Sequence, residues 1–363
     1  MNIAVFCGHP AHYHYYKYTA QQLAAEGHSV FFIIKEKDVL RQLLDGDGQS
    51  YTVIGKRRGN GKWAMLKALV SSEWLMVRAL KRQHIDVLMG CPLSFSARIF
   101  TKTKVVSLGE DDAAIVPMYA KMVYPFSHVI LSPKECDNGK WNKKTVHYDG
   151  YMKLAYLHPS RFQPSMEKVA ENGVDMSRPY FLLRFASLHA HHDKGIGGFS
   201  TEVAQRVIEM LKPHGNVYIT SERPLEPQFE PYRLHGSPND IHHIMAYASI
   251  YLGDSQSMAV EAAMLGVPSL RFNDFAGKIG VLEALEHTYG LTCAIKSSEP
   301  QKLYDKLEEW LRTDNLRETF QQRRQKMLAE KIDVTAFYTW FIEQYPESVR
   351  MMKENPDCQF RFQ

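Results

Sequence analysis

The chain has 363 residues, 44 Lys and Arg against 40 Asp and Glu, and a net charge of +4. That length suits two domains, the 45% apolar content is ordinary for a globular protein, and so small a charge excludes a nucleic-acid footprint. The five cysteines, Cys7, Cys91, Cys136, Cys293 and Cys358, are odd in number and lack metal-ligand spacing. They read as a reduced, cytoplasmic pattern. The first residues read as a strand rather than a signal peptide, and no apolar run reaches the roughly 18 residues of a membrane span.

In chain order, residues 3–7 are an apolar strand, followed by a polar loop over 8–13 and a helix from about 14 to 26 that Gly27 stops. Strands are expected at 29–34, 51–54, 86–89, 104–108 and 128–131, with helices at 38–44 and 62–83. The stretch 133–175, rich in Lys, Asn, Tyr and Pro, breaks this rhythm and reads as a connection between domains. Strands then resume at 180–185, 216–220, 250–252 and 269–272. Helices are expected at 198–211, 239–248, after Gly253, and at 300–312. The alternation implies α/β architecture with parallel, doubly wound sheets. One Rossmann-like domain spans 1–160, a second spans 176–332, and a C-terminal helix is expected over 334–350. Ligands of such sheets bind beyond the carboxyl ends of the strands, which directs attention to the loops 8–16, 109–112, 187–198 and 253–257.

The helix after Gly253 carries Met258, Ala259, Val260, Ala262, Ala263, Met264 and Leu265, which cover all its sides, so it is buried. Asp254 or Ser255 caps it. Only Glu261 interrupts it, and a lone buried carboxylate is costly unless satisfied. Side chains lean toward a helix N-terminus, so Glu261 is expected to reach back toward free N–H groups that form an anion site. A phosphate on those groups and a ribose on the carboxylate satisfy both features. A structural Glu paired with an Arg or with backbone is the alternative.

In Ser187-Leu-His-Ala-His-His-Asp-Lys-Gly-Ile-Gly-Gly198, the glycines permit close backbone approach to phosphate. His189, His191, His192, Asp193 and Lys194 offer charge binding or a proton relay, and a solvated loop is the plain alternative. No metal is expected, because no partner set has a recognised spacing. The segment Gly8-His-Pro-Ala-His-Tyr-His-Tyr-Tyr-Lys17 lacks a Gly-x-Gly-x-x-Gly loop, which argues against a nicotinamide enzyme. Its His9, His12 and His14 are candidate bases, or members of an aromatic packing loop. Gly109-Glu-Asp-Asp112 offers a general base, Glu110 or Asp111, or the cap and first turn of a following helix. The basic turn 56–62 and the helix carrying Trp63, Met65 and Trp74 are a candidate for peripheral contact through 56–76 with a lipid-linked acceptor or the inner face of a membrane. A solvated loop and core helix is the other reading.

The segment 253–268 resembles the nucleotide-binding element of the GT-B superfamily, which joins many glycosyltransferases with the UDP-GlcNAc 2-epimerases. Where the epimerases carry Asp-Ser-Gly-Gly and then Gln-Glu-Glu-Ala, this chain has Asp254-Ser255-Gln256-Ser257 and Glu261-Ala262. The resemblance implies that Ser255 and its neighbours face phosphate and Glu261 holds a ribose. Nearly the whole chain, through Pro10-Ala-His12, Asp149-Gly-Tyr151, Leu154-Ala-Tyr156, Arg184-Phe185, His192-Asp-Lys-Gly195, Ser221-Glu222 and Gly253-Asp-Ser-Gln256, resembles a bacterial and archaeal family described as a domain of unknown function within that superfamily.

It implies a GT-B fold, two Rossmann-like domains facing a central cleft, with a final helix, here 334–350, crossing back to join the first. Glu110 matches an epimerase carboxylate, and the 189–192 loop sits where those enzymes carry a catalytic His. The chain departs from them at Gly8-His9-Pro10, where they place an Arg, and at Gly90-Cys91, where they place an Asp. The expectation is a metal-independent glycosyltransferase of cell-surface polysaccharide or glycolipid assembly, with a UDP-linked sugar as substrate and no cofactor. Donor contacts fall to Ser221, Glu222, Asp254, Ser255, Gln256, Ser257, Glu261, His189, Asp193 and Lys194. Catalysis falls to His12, Glu110, Asp111 or His192. A nucleotide-sugar 2-epimerase is the second reading, and a catalytically silent nucleotide-sugar binder the third.

Overall fold

A computed structural model describes the chain except residues 37–38, 57–61, 91, 93–94 and 187–197, and except the side chains of 36, 56 and 62–66. His189, His191, His192, Asp193, Lys194 and Cys91, most of the basic turn at 56–62, and the side chains of Trp63 and Met65 therefore lie outside the described residues. Two units form, Met1–Tyr156 with Lys331–Gln363, and Leu157–Glu330.

The first unit runs β1 (Asn2–Cys7), α1 (Pro10–Ala25), β2 (Ser29–Glu36), α2 (Leu40–Gly46), β3 (Tyr51–Lys56), α3 (Lys62–Arg82), β4 (Val87–Gly90), α4 (Phe95–Phe100), β5 (Lys104–Leu108), α5 (Pro117–Val123), β6 (Val129–Pro133), β7 (Thr145–Tyr148) and α6 (Leu154–Leu157). Its sheet has the order β3-β2-β1-β4-β5-β6-β7, with parallel neighbours throughout. The chain walks from β1 to β3 in one direction and from β4 to β7 in the other. Right-handed crossovers then place α1 and α2 on one face and α3, α4 and α5 on the opposite face. Coverage of both faces is why Ile3, Ala4 and Val5 are fully buried.

Two expectations change here. Helix α1 starts at Pro10, within the expected polar loop, because Pro at the first helical position needs no N–H partner. His9 caps it, its Nδ1 accepting the Ala11 N–H at 3.2 Å. The stretch 133–175 is not simply a connection, since it supplies β7, α6 and the first helix of the second unit. Its polar residues serve local structure. Lys144 Nζ donates to the carbonyls of Pro125 and Ser127 at 2.8 and 3.2 Å, and beside it Val146 and Tyr148 are buried in the sheet.

The second unit runs α7 (Met166–Glu171), β8 (Tyr180–Phe185), α8 (Thr201–Leu211), β9 (Asn216–Ser221), α9 (Ile241–Tyr247), β10 (Ile250–Gly253), α10 (Gln256–Met264), β11 (Ser269–Phe272), α11 (Gly280–His287), β12 (Cys293–Ile295), α12 (Pro300–Arg312) and α13 (Leu316–Glu330). Its sheet order is β12-β11-β10-β8-β9, again parallel.

Helices α14 (Val334–Glu343) and α15 (Glu347–Glu354) belong to the first unit. Asp149 anchors them. Its carboxylate binds Lys331 Nζ at 2.5 Å and also Lys134, its carbonyl accepts the Ile332 N–H at 3.0 Å, and its N–H donates to Gln359 Oε1 at 2.6 Å. A Cβ at Gly150 would lie 2.6 Å from Val334 Cγ2, so only glycine allows the approach. The Asp149-Gly150 pair thus has a structural reason. Among the described residues no helix is long and apolar enough to cross a membrane.

Candidate functional site

In the second unit, β10 ends at Gly253, where a Cβ would lie 2.5 Å from the Tyr251 hydroxyl and 2.9 Å from Arg184 Cβ. Only glycine fits. Ser255 caps α10, its Oγ accepting the Met258 N–H at 3.4 Å. Asp254 does a different job. Its Oδ1 accepts the Ala186 N–H at 2.6 Å and its Oδ2 the Phe199 N–H at 3.5 Å, so one carboxylate joins the residue after β8 to a residue just before α8. Its own carbonyl accepts from Asn273 Nδ2 at 3.1 Å. Burial pushes the Asp254 carboxyl up to about 6, against the opposing pull of those N–H groups.

Gln256 is the first residue of α10. Its Oε1 accepts from Arg271 at 3.0 Å, while its Nε2 is buried with no hydrogen-bond partner. Arg271 is fully buried and also meets Glu286 at 3.4 Å and Glu283 at 3.8 Å. Ser257 is exposed on the same first turn. The first-turn N–H groups of any helix lack intrahelical acceptors, so this end presents donors together with a buried, unanswered amide. Glu261 is 8% exposed, and its Oε2 lies 3.5 Å from Nε2 of buried His242 on α9. His242, which the sequence does not single out, is thus one of its protein partners. Ser221 closes a local turn, accepting the Arg223 N–H at 3.1 Å and donating to the Arg223 carbonyl at 2.7 Å. Glu222 pairs with Arg184.

In the first unit, Glu110 follows β5. It forms an ion pair with Lys153, and Tyr15 donates its hydroxyl to Glu110 Oε1 at 3.4 Å. The Lys153 ammonium lies 5.2 Å from the centre of the Tyr15 ring and is 3% exposed. Glu110 Oε2 is buried without a hydrogen-bond partner. Asp111 is exposed, while Asp112 Oδ1 accepts the Asp137 N–H at 2.7 Å. These acids are not a helix cap, because α5 starts only at Pro117 and has no side-chain cap. His12 sits on the first turn of α1 beside Tyr15, ring centres 6.2 Å apart. Its Nδ1 accepts the Gly8 N–H at 3.2 Å, so the neutral ring carries its proton on Nε2.

Lys153, Tyr15, His242 and Arg271 escaped the sequence reading. For Lys153 and Arg271 a signal existed, the one that singled out Glu261: a lone charge inside an apolar run, Tyr-Met-Lys-Leu-Ala and Ser-Leu-Arg-Phe. Of the pair Gly90-Cys91, where the chain departs from the epimerases, Gly90 is described. Its φ is +121°, and a Cβ there would lie 2.6 Å from the Phe6 carbonyl oxygen, so no side chain fits. Among the described residues, the group of donors close enough to hold a metal ion is Glu26, His28 and Glu343. His28 precedes β2, at the end of the first sheet's strands opposite Glu110.

No family model and no curated protein matches the sequence. Solved structures do. The S. aureus MnaA–UDP co-structure aligns over 96% of this chain and 97% of its own, with a TM-score of 0.69 and 12% identity. The spinosyn rhamnosyltransferase SpnG complexed with spinosyn aglycone aligns over 94% and 99%, with a TM-score of 0.60 and 12% identity. The UDP-GlcNAc 2-epimerase from Neisseria meningitidis bound to UDP-GlcNAc aligns over 90% and 100%, with a TM-score of 0.57 and 13% identity. The chain has the GT-B fold that these proteins share.

Proposed function

We propose that this chain is a GT-B glycosyltransferase that uses a nucleotide-sugar donor. The observation that carries the reading is the start of α10, where an open helix N-terminus, the unanswered Gln256 amide and buried Glu261 share one element. A diphosphate rests on the N–H groups of Gln256 and Ser257 and on the Gln256 amide, and Glu261 receives the ribose. Backbone donors and the helix dipole supply the countercharge for the departing diphosphate, so no metal is invoked. Glu110 takes the proton of the acceptor hydroxyl, whose oxygen attacks the anomeric carbon as the nucleoside diphosphate leaves, and His12 orients the acceptor. A polysaccharide or glycolipid precursor is the proposed acceptor. MnaA with UDP and the Neisseria enzyme with UDP-GlcNAc support a uridine donor, and the rhamnosyltransferase with its aglycone supports transfer.

Titration calorimetry against UDP, GDP, CDP and TDP tests the reading. One of them is expected to bind, and Glu261→Ala is expected to weaken it about tenfold at an unchanged melting temperature. Binding by none removes the proposal, and a large loss of stability in ligand-free Glu261→Ala assigns Glu261 to structure alone. A 2-epimerase remains the second reading because Glu110 stands where epimerases carry a carboxylate, although Gly90 excludes a side chain near their Asp. Incubation with UDP-sugars in deuterium oxide separates the two. Deuterium at carbon 2 without acceptor marks an epimerase, and turnover only with an acceptor marks a transferase.

A further inference from the structure

Exposed apolar side chains are unevenly distributed. Among the described residues eleven large ones are exposed, and seven of them, Val70, Trp74, Phe95, Ile99, Phe100, Met118 and Met122, belong to α3, α4 and the start and end of α5. Among the described residues, none lies on α1, α2 or α14, which cover the opposite face of the same sheet. The three helices are neighbours on their face. Met76 and Leu80 of α3 share a buried cluster with Ala97 of α4, and Phe95 of α4 meets Phe126, just after α5, edge to face at 5.0 Å. Val70, Trp74 and Val77 are spaced by one helical turn each, so they line one stripe of α3. Water-facing apolar surface gathered this way marks a docking surface.

The charge around it says what docks there. Lys67, Arg78, Lys81, Arg82, Arg98, Lys102 and Lys121 are exposed on or beside these helices, whereas the acid of α3, Glu73, is half-buried. The Arg78 guanidinium lies 5.5 Å from the centre of the Trp74 ring. A shallow depression of about 490 Å³ is lined by Trp74, Val77, Arg78, Lys81 and Arg82. Apolar and aromatic side chains set among cations are the chemistry of an anionic lipid interface, where the rings enter the acyl boundary and the cations stay at the phosphates. Among the described residues, the exposed charges of these three helices are all cations.

We propose that the outer face of α3, α4 and α5 seats the protein on an anionic lipid surface. The proposal goes beyond the transferase reading and does not depend on it. Co-sedimentation of the full chain with phosphatidylcholine vesicles, with and without phosphatidylglycerol, tests it. Sedimentation is expected with the anionic vesicles only and is expected to weaken with added salt. The pair Trp74→Ser and Phe100→Ser should lower partitioning about tenfold or more. Arg78→Gln, Lys81→Gln and Arg82→Gln should each lower it about fivefold and flatten the salt dependence. These side chains are exposed, so the variants should keep the parent's melting temperature and nucleotide binding. Failure to sediment with anionic vesicles at low salt overturns the proposal, as does equal binding by parent and variants. So does a dimer in sedimentation velocity that dissociates in the Trp74→Ser and Phe100→Ser pair, which assigns the face to a second copy of the chain. Loss of nucleotide binding with vesicle binding intact would fail the transferase reading alone.

Discussion

β5 and β10 each run into a glycine and then a carboxylate, Gly109-Glu110 and Gly253-Asp254, yet the two strand ends are electrostatically different. Glu110 is answered by a buried ammonium, Lys153, and by the Tyr15 hydroxyl. Asp254 is answered by backbone N–H groups of Ala186 and Phe199. After β5 the chain passes through a loop before α5 begins at Pro117, whereas α10 starts almost at once behind its Ser255 cap. A carboxylate met by a side-chain cation is a closed unit whose disruption strands a buried charge. A carboxylate met by backbone donors beside an open helix start leaves that start available to an outside anion. The first arrangement stabilises the fold and, on the proposed function, holds the base in place, whereas the second holds the rim of the proposed donor site.

The contrast is most exposed to failure at Lys153. Lys153→Met should cost about 3–5 kcal/mol in urea unfolding, because it leaves Glu110 buried beside an apolar chain. Combining it with Glu110→Leu should restore most of that loss, and a double variant as unstable as the single would break the comparison. At β10 the expected signature is pH dependence. The Asp254 carboxyl stands at about 6 in the fold against 3.8 for an ordinary one, so the fold favours the protonated form. Its contribution is complete below about pH 4 and is lost as pH rises through 6, about 3 kcal/mol in all. Stability of the parent relative to Asp254→Asn, measured between pH 4 and 7, should fall by that order. A flat difference would mean that the N–H groups already offset the burial.

Smaller effects sharpen the same comparison. Gln256→Glu should weaken nucleotide binding about tenfold, ~1.5 kcal/mol, with little change in stability, since it keeps an acceptor for Arg271 and removes only the Nε2 donor that has no partner. Calorimetry alongside thermal melting checks this, and a loss of stability without a loss of affinity would make Gln256 a support for Arg271 alone. Ser255→Ala should cost about 1 kcal/mol in denaturant unfolding through loss of the α10 cap.

Much of the scaffold was legible in the sequence because its signals are local. Apolar runs such as 3–7, 104–108 and 180–185 mark strands buried on both faces, and Gly253 to Gly266 marks a buried helix with one charge in it. Where short-range cues conflict, the reading failed. Polar residues around β7 hid a strand that its pairing with β6 and the packing of Tyr148 on α14 stabilise. His9 and Pro10 looked like loop residues until their cap geometry was formed.

The sequence could single out Glu110, Asp254 and Glu261 as carboxylates in unusual places, because a charge beside an apolar run is visible along the chain. It could not name their partners. Lys153 comes to Glu110 from 43 residues away, His242 to Glu261 from 19, and the Ala186 N–H to Asp254 from 68. Whether such a carboxylate closes on a side-chain cation, as Glu110 does, or on distant backbone N–H groups, as Asp254 does, depends on long-range neighbours, and the tertiary structure alone supplies them.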